Sequence, residues 1–119
     1  MTRLVALVVV VLLALAEGGV ALGARVDLVV SPATVAPGAA VRVIARSSPC
    51  HVGGSAVAIS AAFPGRAFGG AGTLFGRVGR GGAFSIHGHV RSRVKAGRYT
   101  VGVRCGGGNL GVTAYLRAR

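Results

Sequence analysis

The stretch Arg98–Cys105 alternates without a break. Tyr99, Val101, Val103 and Cys105 share one phase, while Arg98, Thr100, Gly102 and Arg104 take the other. Period two is the signature of a β-strand, whose successive side chains leave opposite faces. The pattern recurs along the chain from residue 26. Val26, Leu28 and Val30 share a face, as do Val41, Val43 and Ala45, with Arg42 and Arg46 turned outward. Val57, Ile59, Ala61 and Phe63 form the next apolar set. Phe84, Ile86 and Val90 oppose Ser85, His87 and His89, and Val112, Ala114 and Leu116 oppose Thr113, Tyr115 and Arg117.

Breaks separate these runs. Pro32, Pro37 and Gly38 turn the chain after the first, a Ser/Gly-rich loop carries Cys50, and Gly106–Asn109 closes a late turn. The glycine-rich segment 64–82 has no clean period and reads as loops around one short strand near Thr73–Val78; within it, Gly76–Gly82 reads as a flexible surface loop. The whole predicts about seven short strands with no helical periodicity: an all-β, immunoglobulin-like antiparallel β-sandwich.

The first 24 residues stand apart. Arg3 provides a positive start, Leu4–Ala16 is uninterrupted apolar sequence, and small residues follow to Ala24. This is the layout of a secretory signal peptide at residues 1–24, preceding a domain at 25–119, with Ala16 an earlier cleavage position and an uncleaved anchor the alternative. An exported chain with two cysteines implies a Cys50–Cys105 disulfide. With Cys105 ending the sixth strand and Cys50 just past the second, it is expected to staple the two sheets near one end of the sandwich, Cys50 reaching inward from a loop.

Those motifs carry a resemblance. Val29–Val43 with its "VSPATVAPG" opening, "SAAF" at 60–63 and "AGRYTVGVRCGGG" at 96–108 resemble small secreted immunoglobulin-like domains of high-GC Gram-positive bacteria. The resemblance implies a fold and a compartment, and no defined activity. No Trp is present, and Tyr99 lies six residues before Cys105 rather than two, which argues against a tyrosine corner. A remoter resemblance, to the apoproteins that carry enediyne antibiotics, implies a ligand- or protein-binding module as the alternative.

Charge narrows the chemistry. The 119 residues carry 14 basic side chains against 2 acidic ones. Beyond residue 25 the single carboxylate is Asp27, which removes paired-carboxylate catalysis within one chain. No G-x-S-x-G is present, oxidised cysteines supply no thiolate, and a non-enzymatic protein is expected. His87 and His89 leave one strand face together, a geometry that can hold Zn²⁺ or Cu²⁺, with His51 a conceivable third ligand. No carboxylate stands by to orient either ring, so they read as solvated imidazoles and no cofactor is expected. Arg42, Arg46, Arg91, Arg93, Arg98, Arg104, Arg117 and Arg119 fall at outward or loop positions and form the candidate polyanion-binding set. From these features the expected role is structural or adhesive, for a secreted protein retained at the cell envelope. Its expected partners are anionic cell-wall polymers or the membrane surface, with a protein partner also conceivable. Without an evident aromatic platform, sequence-specific nucleic acid is not expected among the partners.

Overall fold

The computed structural model describes residues 26–106 and 108–119, so the expected signal peptide at 1–24 lies outside the described residues. The described chain is built of strands: β1 (Leu28–Ser31), β2 (Thr34–Val35), β3 (Ala40–Ala45), β4 (Ser55–Ser60), β5 (Gly72–Arg77), β6 (Phe84–His89), β7 (Gly97–Cys105) and β8 (Gly108–Ala118). A single 3₁₀ turn, Arg80–Gly82, precedes β6.

They form two sheets. The small sheet has the order β1-β3-β6 and the large sheet the order β2-β8-β7-β4-β5. Pairing is antiparallel except for the short parallel contact of Thr34–Val35 with Arg117–Ala118. Apart from that two-residue β2, the strands number about seven, as the spacing of turn signals predicts. Pro32 explains β2: it interrupts the ladder after β1, and the chain crosses from one sheet to the other.

The core lies between the sheets. Val30, Val41, Val43, Phe84 and Ile86 come from the small sheet, and Ala56, Ala58, Leu74, Val101, Val103, Ala114 and Leu116 from the large one. Phe63, Val90 and Val94 are also buried, on the loops that follow β4 and β6. Two glycines let β5 and β6 approach. A Cβ on Gly76 would press into Ile86, and one on Gly88 into the Leu74 side chain. Gly88 is thus the inward residue of "HGH", and its packing is why His87 and His89 face out.

Cys50 and Cys105 are joined, with Cα atoms 5.8 Å apart. The bond ties the loop that leaves the small sheet after β3 to the last residue of β7 in the large sheet. Cys50 is buried in that loop, as expected. Tyr99 departs from expectation: its Oη donates to the Lys95 carbonyl at 2.7 Å, the backward bond of a tyrosine corner, despite its distance from Cys105. Spacing to the cysteine failed as a guide because β7 is long. The segment 76–82 also differs from a flexible surface loop. Arg77 ends β5, Val78 and Gly82 are buried, and the Ser48 hydroxyl donates to the Gly82 carbonyl at 2.6 Å.

A phase error at β4 matters more. Val57 and Ile59, read as the apolar inward set, face outward and are half-buried. The inward residues are Ala56, Ala58 and Ser60. A one-residue shift in phase carries a strand's whole apolar set to the other face, and in β4 it places the bulk outward.

Candidate functional site: the outer face of the large sheet

Register assembles this face row by row. Phe75 on β5 lies opposite Val57 on β4, which lies opposite Arg104 on β7. Arg77 is opposite Ser55, Thr73 opposite Ile59, Thr100 opposite Tyr115, and Arg98 opposite Arg117. Neighbouring strands are about 4.8 Å apart, so these side chains form one continuous surface. Its large apolar residues are conspicuously exposed: Phe75 at 68 % and Tyr115 at 49 %. Phe68, 41 % exposed, stands on the loop between β4 and β5.

The arginines are interleaved with the rings. The Arg98 guanidinium lies 3.8 Å from the centroid of Tyr115, and that of Arg104 lies 5.7 Å from the centroid of Phe68. Arg98 and Arg117 sit directly opposite each other, a pairing of like charges that costs stability in a sheet. Between Phe75 and Arg104, over Val57 and beside Cys105, there is a depression of about 260 Å³. The space suits one planar ring. A larger groove of about 770 Å³ lies elsewhere, lined by Val26–Val29, Ile44, Arg46, Val112 and Thr113. It contains Asp27, which would repel an anion.

The loop bearing Phe68 is held by Arg91. Its Nε donates to the Phe63 carbonyl at 2.8 Å, and its Nη2 donates to the carbonyls of Gly65 at 2.6 Å and Gly70 at 3.2 Å. A guanidinium with three carbonyl partners is a clamp, so Arg91 leaves the polyanion-binding set for a structural reason.

The remaining candidates divide. Arg98, Arg104 and Arg117 are brought together on the large sheet, and Arg77 joins them, although sequence reading passed it over inside the glycine-rich segment. Arg42 faces outward from the small sheet on the far side of the molecule, opposite Ser31 and His87. Arg46 follows β3, Arg93 sits in the loop after β6, and Arg119 ends the chain, its amide donating to the Val35 carbonyl at 2.9 Å. His87 and His89 share the small sheet's outer face, whereas His51 belongs to the Cys50 loop. Among the described residues no group of three His, Cys, Asp or Glu could hold a metal ion, and no helix is long and apolar enough to cross a membrane.

No protein-family model matches the chain, and no curated protein matches it. Among solved structures, it is similar to the Pseudomonas fluorescens alkylpurine DNA glycosylase AlkC bound to DNA containing an abasic site analog. The identity is 23 %, the TM-score is 0.49, and the match covers 82 % of this chain and 31 % of that one. The chain therefore spans about a third of that protein's length, and at this TM-score the likeness assigns it neither activity nor ligand. That neighbour is a DNA-bound enzyme, whereas the sequence led to the expectation of a non-enzymatic structural or adhesive domain whose partners are anionic cell-wall polymers or the membrane surface and not sequence-specific nucleic acid; that expectation is withdrawn. Its exclusion of sequence-specific nucleic acid rested on the lack of an evident aromatic platform, and Phe75, Tyr115 and Phe68 stand exposed on or beside this face.

Proposed function

We propose that this domain binds single-stranded nucleic acid across the outer face of the large sheet. The observation that carries the reading is the interleaving of exposed rings with guanidinium groups on this face and its flanking loop: Phe75, Phe68 and Tyr115 with Arg77, Arg98, Arg104 and Arg117. Unpaired bases stack on such rings, each contact contributing about 1–3 kcal/mol, while arginines neutralise the phosphates. A duplex hides its base faces and gains only the electrostatic part. The disulfide supports an oxidising compartment, so the strand would be met outside the cytoplasm. The tyrosine-corner bond and the sheet-linking disulfide support an immunoglobulin-like scaffold beneath the face.

The test is competition. A fluorescent single-stranded oligothymidylate, followed by anisotropy at about 0.15 M salt, is displaced by unlabelled single strand, by duplex of the same length, or by inorganic polyphosphate. Single strand is expected to compete at least tenfold better than either alternative at equal phosphate. Equal competition by polyphosphate would reduce the surface to charge alone.

A further inference from the structure

The histidine pair has no part in that reading, and its surroundings point to a different chemistry. On the small sheet's outer face, β3 puts Arg42 between Ser31 of β1 and His87 of β6. His89 follows two positions along β6, opposite Ala40. These residues, with Pro32, line an open groove of about 590 Å³. Directly opposed Cβ atoms are about 5 Å apart and alternate residues on a strand about 6.7 Å apart. One small ion therefore reaches Arg42, His87 and His89 together.

We propose that this groove is an anion site for a doubly charged tetrahedral oxyanion, a sulfate or the terminal phosphate of a monoester. The Arg42 guanidinium presents a planar fork to two oxygens. The Ser31 hydroxyl supplies a further donor, and the His87 and His89 rings add N–H donors from the adjoining strand. His87 Nε2 lies 3.3 Å from the Ser85 hydroxyl, a contact that anchors the ring on the outer face.

No charge of opposite sign competes. The β1 strand contributes Ser31 and no ionisable group, and Asp27 lies at the other end of the sheet, beyond Leu28. From the loop after β6, Arg91 is turned away to its carbonyls, and exposed Arg93 only adds positive charge. A divalent cation is the poorer occupant: Arg42 beside His87 repels it, and no carboxylate or third imidazole completes its shell.

Sulfate is the probe, a tetrahedral dianion of the proposed shape and charge. Titrated into the intact domain and followed by the imidazole and backbone NMR signals, it is expected to shift His87, His89 and Arg42. His51 is the internal control and should not move. R42Q should lower the affinity about tenfold, and the H87Q/H89Q pair at least threefold. All three side chains are exposed, and an unchanged amide spectrum establishes that each variant folds. Dimethyl phosphate separates the sources, since a diester that binds as tightly as sulfate would point to a polymer backbone and overturn the preference for a dianion. Unchanged affinity in R42Q, or a His51 shift as large as that of His87, would overturn the site itself. So would Zn²⁺ shifting both histidines where sulfate does not.

Discussion

The two outer faces of this small sandwich both carry basic side chains and otherwise differ in almost every respect. The face of the large sheet spends its bulk outward. Val57, Ile59 and Phe75 lie outside while Ala56 and Ala58 lie within, and Phe75 is the most exposed large apolar residue described. The small sheet's face follows the common rule, with Val41 and Val43 inside and Arg42, His87 and His89 outside; Val29, at 54 %, is its one strongly exposed apolar residue. Exposed rings threaded with arginine on one face are the feature that distinguishes it. The imidazole face holds no such rings; its polar groups are Arg42, His87 and His89.

Removing the rings is the strongest way to break this contrast. Replacing both Phe75 and Tyr115 by Ala is expected to weaken single-strand binding about a hundredfold, the loss of two stacking contacts at the lower middle of their range. H87Q/H89Q should change the same affinity less than twofold at pH 7.5. Comparable losses from the two pairs would mean that the faces are equivalent and that charge alone binds. The inverted packing of β4 gives the next effect. Ala58→Leu puts three carbons into a filled core and should lower unfolding free energy by about 2 kcal/mol in a urea titration. Val57→Ser, one residue along, should cost well under that and reduce binding instead. If Val57→Ser is the more destabilising of the two, the outer face is part of the core.

That inversion also shows where sequence reading reached its limit. Alternation in β3, β6, β7 and β8 predicts the buried residues correctly because the outward phase of each carries charged or polar side chains. The cysteine pair was legible from its even count, and its place from Cys50 falling just past the second main strand and Cys105 ending the sixth. In β4 the alternation is just as clear, but both phases are apolar, so the pattern does not say which of them turns inward. The site disappeared with that choice. Phe75 was hidden among the glycines of 64–82, and Phe68 on a loop with no period at all. Register, which sequence does not display, puts Phe75 in one row with Val57 and Arg104, and folding of the loop brings Phe68 to the Arg104 guanidinium.

Arg91 tests how far the platform depends on support from behind. Arg91→Ala leaves the carbonyls of Phe63, Gly65 and Gly70 without their charged donor. Hydrogen bonds to a charged group contribute about 1.5–3 kcal/mol, less where solvent reaches them, and Nη2 is exposed. Unfolding free energy should therefore fall by about 1.5 kcal/mol. Binding should weaken about threefold through the freed Phe68 loop. Arg91→Lys keeps the charge, loses the fork, and should restore only part of either. Unchanged binding in a destabilised variant would remove Phe68 from the platform and shorten the site to Phe75 and Tyr115.

The smallest effect separates the faces by salt alone. Each phosphate neutralised on a single strand contributes about 0.7 to the slope of log affinity against log salt. Arg104 stands beside both the Phe75 depression and the Phe68 ring, so Arg104→Gln should lower that slope by about 0.7 and leave the sandwich intact. Arg42→Gln removes the same charge from the opposite face, where the strand does not run, and should leave the slope unchanged. The two variants have equal net charge, so the long-range field of the whole domain is matched between them. A difference in slope can then come only from where the strand lies. Equal slopes would mean that it has no preferred face.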